Sequence, residues 1–162
     1  SVLSLALANG KFKKLENIPS PPEGGGGIYY HFEDYFRDIN QFLIHWGDQW
    51  ESAGFNFVNQ RTGDQTQLQG KPIFSPNKKN ILTIGYNPTA DDVLHIWIGR
   101  VQSGEILNAF KDDSLAYILR GGFWLDDSTI AILGDSMDSN NNVLIFCRYI
   151  DKQWILEKME LK

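Results

Sequence analysis

Residues 74–84 read Phe74-Ser-Pro-Asn-Lys-Lys-Asn-Ile81-Leu-Thr-Ile84, and residues 123–133 repeat the pattern as Phe123-Trp-Leu-Asp-Asp-Ser-Thr-Ile130-Ala-Ile-Leu133. In both copies an aromatic residue precedes a polar turn, and an apolar run follows it. The two phenylalanines are 49 positions apart, and so are Ile81 and Ile130. A strand-rich unit that recurs every 40 to 50 residues or so predicts blade-like β-sheets.

Weaker copies extend the repeat toward the N-terminus. Phe57-Val-Asn-Gln-Arg-Thr-Gly63 resembles Trp97-Ile-Gly-Arg-Val-Gln-Ser-Gly104, and Leu5-Ala-Leu-Ala-Asn-Gly10 has the form of the last hairpin of another copy. Between them, residues 18–27 hold three prolines and four consecutive glycines, which predicts a surface loop or, alternatively, a lid. We therefore predict one domain, residues 1–162, with a partial repeat at 1–17, a Pro/Gly loop at 18–27, and repeats at about 28–70, 71–111 and 114–161.

Alternating apolar positions support strands through most of the chain. Residues 93–98 are the clearest case, and turn signals recur every 8 to 12 residues or so, as in an antiparallel meander. Residues 28–36 fit either a strand or a short helix, because Tyr29, Phe32 and Phe36 also follow helical spacing.

The turn Ser75-Pro76-Asn77-Lys78 resembles the Ser-Pro-Asp-Gly-Lys element of the WD40-like repeats found in TolB-type β-propellers. The resemblance implies blades joined by tight turns, with the preceding aromatic residue packed between adjacent sheets. Three copies and a remnant fall short of four full blades. The predicted fold class is therefore all-β: an antiparallel meander of about three propeller-like blades forming an open, incomplete propeller, with a two-sheet β-sandwich as the alternative.

The charge balance excludes some classes of partner. Twenty acidic residues outnumber 15 basic ones, for a net charge of −5, so the electrostatic footprint of a nucleic-acid-binding protein is missing. We also expect no transmembrane segment, because no stretch is long and apolar enough. Cys147 is the single cysteine and permits no internal disulfide. The compartment stays open, with a periplasmic or secreted location favoured over a cytoplasmic one.

The sequence offers no catalytic constellation. His31, His45 and His95 lie far apart in sequence and near no cysteine, so we expect no metal site and no cofactor. No Gly-x-Ser-x-Gly motif occurs, and Cys147 lies within an apolar strand, where a buried small hydrophobe is expected. We assign no catalytic residue and predict that the chain is not an enzyme.

Aromatic and arginine side chains are the candidate binding residues, because these types are enriched where proteins contact partners or ligands. The candidates for an exposed platform that holds a peptide or a sugar are Tyr29, Tyr30, Trp46, Trp50, Arg61, Trp97, Arg100 and Trp124.

The sequence therefore predicts a non-catalytic protein- or ligand-binding or scaffold domain. Its expected partner is another protein, or a second copy bound through open sheet edges. The alternative is a hydrolase that acts on a small glycan or peptide through a dispersed site of Asp, Glu and His side chains.

Overall fold

A computed structural model describes residues 1–21, 26–48, 53–68, 70–86, 94–115, 117–136 and 141–161. These residues form β-strands and one short 3-10 turn, Arg37–Ile39. The strands are β1 (Val2–Ala6), β2 (Phe12–Glu16), β3 (Ile28–Phe36), β4 (Gln41–Asp48), β5 (Ala53–Asn59), β6 (Gln65–Leu68), β7 (Ile73–Phe74), β8 (Asn80–Tyr86), β9 (Leu94–Gln102), β10 (Glu105–Leu115), β11 (Tyr117–Trp124), β12 (Thr129–Ser136), β13 (Asn142–Ile150) and β14 (Gln153–Leu161).

Consecutive strands pair within each sheet. The hairpin β1–β2 forms a separate two-stranded sheet. Three four-stranded sheets follow in the chain: β3–β6, β7–β10 and β11–β14. A four-stranded antiparallel meander is the unit of a propeller blade. The all-β, blade-like fold class is confirmed, and three complete sheets make it an incomplete propeller rather than a two-sheet sandwich. In the described ranges, no helix is long and apolar enough to span a bilayer.

The chain divides into two compact units. One holds residues 1–68 with 103–105, and the other holds residues 69–102 with 106–162. The predicted single domain and its repeat boundaries stay predictions. The ambiguous segment 28–36 is a strand: β3 pairs with β4 along its length, with an irregularity between Phe32 and Asp34.

The first unit has its core between the hairpin and one face of the sheet β3–β6. Leu5 and Leu15 of the hairpin pack on Phe42, Ile44 and Val58 of the sheet. These side chains share a face because positions two apart in a strand point the same way, and because Phe42 pairs with Val58 across the sheet.

The second unit buries the facing sides of its two sheets. Leu82, Ile96 and Ile98 of the sheet β7–β10 share one cluster with Ile130, Ile132, Ile145 and Cys147 of the sheet β11–β14, and all seven side chains are fully buried. Apolar residues at alternate positions of neighbouring strands account for this interface.

The repeat has a different register from the one predicted by the 49-residue spacing. Phe74 pairs with Ile81, whereas Ile130 pairs with Trp124. Trp124 is therefore the structural equivalent of Phe74, and the predicted match of Phe74 with Phe123 is wrong. The cause is a turn that is one residue shorter in the second copy, which leaves Phe123 58% exposed.

The two equivalent turns contact each other. Asn77 accepts a hydrogen bond from the Lys79 amide at 2.8 Å, and Asp126 accepts one from the Ser128 amide at 2.7 Å, so both turns use the same local bond. The Asn77 amide donates to Asp127 Oδ1 at 2.8 Å. The polar turn thus joins the two sheets of the second unit.

Candidate functional site

The sheet β3–β6 carries an open groove on the face that the hairpin only partly covers. The groove has a volume of about 390 Å³. Tyr30 pairs with Trp46 across β3 and β4, and Asn56 pairs with Gln67 across β5 and β6, so the register places all four on this face. The residues that line the groove are Ile28, Tyr30, Trp46, Asn56, Gln65 and Gln67.

The floor of the groove is a half-buried indole. Trp46 pairs with Gly54, and a Cβ atom at Gly54 would lie 2.9 Å from Trp46 Nε1 and 3.0 Å from Cε2. Contacts this short show that the indole rests directly on the Gly54 backbone. Glycine at this position lets the ring lie flat along the sheet.

Amide side chains border the indole. Asn56 is half-buried, and Gln65 and Gln67 are exposed at alternate positions of β6. Within the described part of the chain, none of these three amide groups is hydrogen-bonded to another residue. Each amide offers both donors and an acceptor to a ligand.

The part of the groove lining that the structure describes is uncharged. It consists of two aromatic residues, one isoleucine and three amides, with no Lys, Arg, Asp or Glu among them. A charged ligand would lose hydration there without gaining an opposite charge, and an uncharged polar ligand would not.

A second, smaller groove of about 280 Å³ lies at the base of the Pro/Gly loop, lined in part by Asn17, Pro19 and Tyr29. Ile18 and Ile28 close that base as an antiparallel bridge, with both N···O distances at 2.8 Å. Tyr29 lies over Gly47 and stacks edge-on with His45. Residues 22–25, the centre of the predicted loop, fall outside the described residues.

The predicted binding residues are only partly brought together. Tyr30 and Trp46 share the larger groove, and Tyr29 lines the smaller one. Arg61 is exposed in the turn after β5, and Trp50 lies outside the described residues. The remaining three, Trp97, Arg100 and Trp124, belong to the other compact unit.

Those three residues have structural contacts. The Trp124 indole donates a hydrogen bond to the Ile73 carbonyl oxygen at 2.9 Å and stacks edge-on with Trp154. The Arg100 guanidinium lies 5.1 Å from the centre of the Tyr149 ring. Trp97 is half-buried, with its ring over Gly99. Each of these side chains therefore has a role in packing.

Sequence reasoning missed two sets of polar residues. The three amides of the groove leave a signal only as polar positions within two strands, Asn56 in β5 and Gln65 and Gln67 in β6. His31 and His45 are direct cross-strand partners, which depends on the register of β3 against β4 and not on sequence spacing. Two imidazoles are too few for a structural zinc site, and the described residues hold no group of three potential metal ligands.

Cys147 is unsuited to nucleophilic chemistry. Its side chain is fully buried in the core of the second unit, and burial, with a smaller contribution from the charge of Asp112, raises its pKa from 9.0 to about 12. The thiolate is the reactive form of cysteine, so this thiol stays protonated and inert near neutral pH.

No protein-family model matches the sequence, and neither does any curated protein. Among solved structures, the β-propeller domain of the Trilobed protease from Pyrococcus furiosus, which has an open velcro topology, is similar over 91% of this chain and 42% of that chain. The TM-score is 0.47 and the sequence identity is 14%. This chain thus spans less than half of that one, and so distant a likeness carries no functional conclusion.

Proposed function

We propose that this chain is a non-catalytic binding domain that holds a neutral oligosaccharide in the groove at Trp46. The observation that carries the proposal is the indole lying flat on Gly54, bordered by the amides of Asn56, Gln65 and Gln67 in a groove whose described lining is uncharged. The proposal narrows the sequence-based prediction of a ligand-binding domain to one groove and one class of ligand.

A sugar ring matches this surface in two ways. Its C–H groups form an apolar face that packs on an aromatic ring, and its hydroxyls need both donors and acceptors around the rim. The three amides supply donors and acceptors together, which is what a hydroxyl requires. The absence of charge among the described lining residues favours neutral sugars over acidic ones.

A peptide fits this position less well. Extended peptides commonly bind sheets by adding a strand at an edge, where main-chain groups are free. The groove lies on a sheet face, where the main chains of β4 and β5 are already paired with each other. A peptide there would gain only side-chain contacts.

The described lining of the groove also differs from what hydrolysis of a glycan needs. Glycosidases commonly place two carboxyl groups on either side of the scissile bond, and no carboxylate is among the described residues that line this groove. We therefore propose binding without cleavage. The resemblance of Ser75-Pro76-Asn77-Lys78 to TolB-type repeats agrees with such a role, since the motif has a structural part in the turn rather than a chemical one.

Isothermal titration against neutral tetrasaccharides of glucose, mannose, galactose and N-acetylglucosamine tests the proposal. We expect at least one to bind, with Trp46→Ala weakening the affinity about tenfold, because a lost stacking contact contributes about 1.4 kcal/mol. Gly54→Val should have a similar effect, since its side chain would displace the indole.

Phe12→Ala is the matched control, because Phe12 is an exposed aromatic residue on the hairpin outside the groove lining. It should leave the affinity unchanged. Failure of all four sugars to bind at about 1 mM protein and ligand, or binding only of an acidic tetrasaccharide or an extended peptide, would contradict the proposal.

A further inference from the structure

The outward face of the sheet β11–β14 carries large, exposed apolar side chains. Phe123 is 58% exposed, Met159 is 53% exposed, and Leu133 and Ile155 are each 41% exposed. The register places them on one side of the sheet, because Phe123 pairs with Ala131 in β12 and Leu133 pairs with Leu144 in β13, which in turn pairs with Met159. Single exposed apolar side chains are normal on a protein surface, whereas four large ones on the same side of a sheet form a patch.

The central strands of this sheet are apolar on both sides. In β13, Val143, Ile145 and Cys147 face the core, and Leu144 and Phe146 face outward. An antiparallel sheet with one side in water normally alternates apolar and polar residues. The pattern in β13 is that of a strand covered on both sides.

The neighbouring sheet shows what these positions do when they are covered. Ile73, Leu82 and Ile98 form one cross-strand row in β7–β9, and Phe123, Ala131 and Phe146 form the equivalent row in β11–β13. The first row packs on the sheet β11–β14 within the second unit. The second row has the same apolar character, but here Phe123 is exposed and Phe146 is only half-buried, with Ala131 buried between them.

We propose that this face docks a second copy of the chain, with the two β11–β14 sheets packed face to face about a twofold axis. The mode of contact is the one that already joins the two sheets of the second unit, namely one apolar sheet face against another. A twofold axis brings the same patch of both copies into the interface.

The charges on the face suit self-association. Arg148 pairs with Glu157 at 2.9 Å, and the Arg120 guanidinium pairs with Asp135 at 2.6 Å, so the described charges on and beside this face cancel. The whole chain carries a net charge of −5, which elsewhere makes two copies repel each other. This face is therefore one where a second copy can approach without net repulsion.

The size of the face is sufficient for a dimer. Its strands have eight or nine residues, so four of them span about 20 by 28 Å, on the order of 500 Å² per copy. Two such faces together reach the area of about 1,000 Å² that a specific interface needs.

Light scattering and sedimentation equilibrium between about 1 and 200 µM test the proposal. We expect the mass to rise toward twice 18.5 kDa with concentration. The double variant Phe123→Lys with Met159→Lys removes two apolar side chains from each copy and places four lysines in one interface, so it should raise the dimer Kd at least about a hundredfold. Phe12→Lys, which changes an equally exposed aromatic residue on the hairpin, should leave the Kd unchanged.

A chain that stays monomeric to about 200 µM would overturn the proposal, and so would a dimer that the double variant leaves intact, which would place association at the sheet edges instead. Far-UV circular dichroism checks the fold of each variant. If the lysine variant is misfolded, Phe123→Ser with Met159→Ser serves in its place, because it removes the apolar contacts without adding charge. The groove variants at Trp46 and Gly54 lie outside this face, so the two proposals succeed or fail separately.

Discussion

At the scale of single residues, Trp124 and Phe123 are neighbours with opposite roles. The Trp124 indole is half-buried, donates to the Ile73 carbonyl oxygen and stacks on Trp154, whereas Phe123 is exposed on the other side of β11. Two adjacent positions of β11 thus have different roles. Trp124 contacts the other sheet of the second unit, and Phe123 belongs to the outward apolar surface.

Trp124→Phe tests the first of these roles. The substitution keeps an aromatic ring but removes the donor at 2.9 Å, so the Ile73 carbonyl oxygen loses this hydrogen bond. We expect the free energy of unfolding to fall by about 1 to 2 kcal/mol in urea denaturation. Phe123→Leu, measured on monomeric protein at low concentration, should change it by less than about 0.5 kcal/mol, and equal losses in both variants would contradict this account.

Cys147 makes the free energy of unfolding decrease as the pH rises through the alkaline range. Its folded-state pKa is about 12 against an ordinary 9.0, so between these values the unfolded thiol loses its proton while the folded one keeps it. The contribution is complete below pH 9 and is lost as the pH rises toward 12, at about 1.4 kcal/mol per pH unit. Urea unfolding from pH 8 to pH 11 should therefore show a steeper decline in the wild type than in Cys147→Ala, and parallel declines would contradict the assignment.

At the scale of elements, the polar turns before β8 and β12 connect two sheets. Asp127 accepts a hydrogen bond from the Asn77 amide through its side chain, and its own carbonyl oxygen accepts one from the Asn80 side chain at 3.1 Å. The Ser-Pro-Asn-Lys motif therefore does more than reverse the chain.

Asp127→Ala should lower the free energy of unfolding by about 1 kcal/mol, because it leaves the Asn77 amide without its acceptor. Asp127→Asn keeps an acceptor oxygen at the same position and should retain most of the stability. Chemical denaturation of the three proteins checks this, and an asparagine variant as unstable as the alanine variant would show that charge, rather than the hydrogen bond, is what matters.

Much of the element pattern could be predicted from the sequence, because alternation and turn residues are local signals. The clearest alternation, at residues 93–98, lies in β9 over its described residues, which begin at Leu94. Cross-strand register was not accessible in the same way. The length of one turn decided whether Phe123 or Trp124 matches Phe74, and the pairing of His31 with His45 depends on how β3 and β4 align.

At the scale of the whole molecule, the candidate site was only half predictable. Tyr30 and Trp46 were expected on the grounds that aromatic residues bind ligands, and both line the groove. The amides of Asn56, Gln65 and Gln67 were not expected there. In the sequence, an amide within a strand cannot be distinguished from an ordinary solvent-facing residue until its neighbours across the sheet are known. Exposure also had to come from the structure, since five tryptophans in one chain look alike in sequence.

The indole N–H resonances in a ¹H–¹⁵N correlation spectrum test the binding of a neutral sugar most directly, because one titration reports on all the tryptophans together. Adding the tightest-binding neutral tetrasaccharide should shift the Trp46 resonance, assigned by its loss in Trp46→Phe, and leave those of Trp124 and Trp154 in place. Shifts confined to Trp97, Trp124 or Trp154, or no shift at saturating sugar, would contradict the placement of the site in the groove of β3–β6.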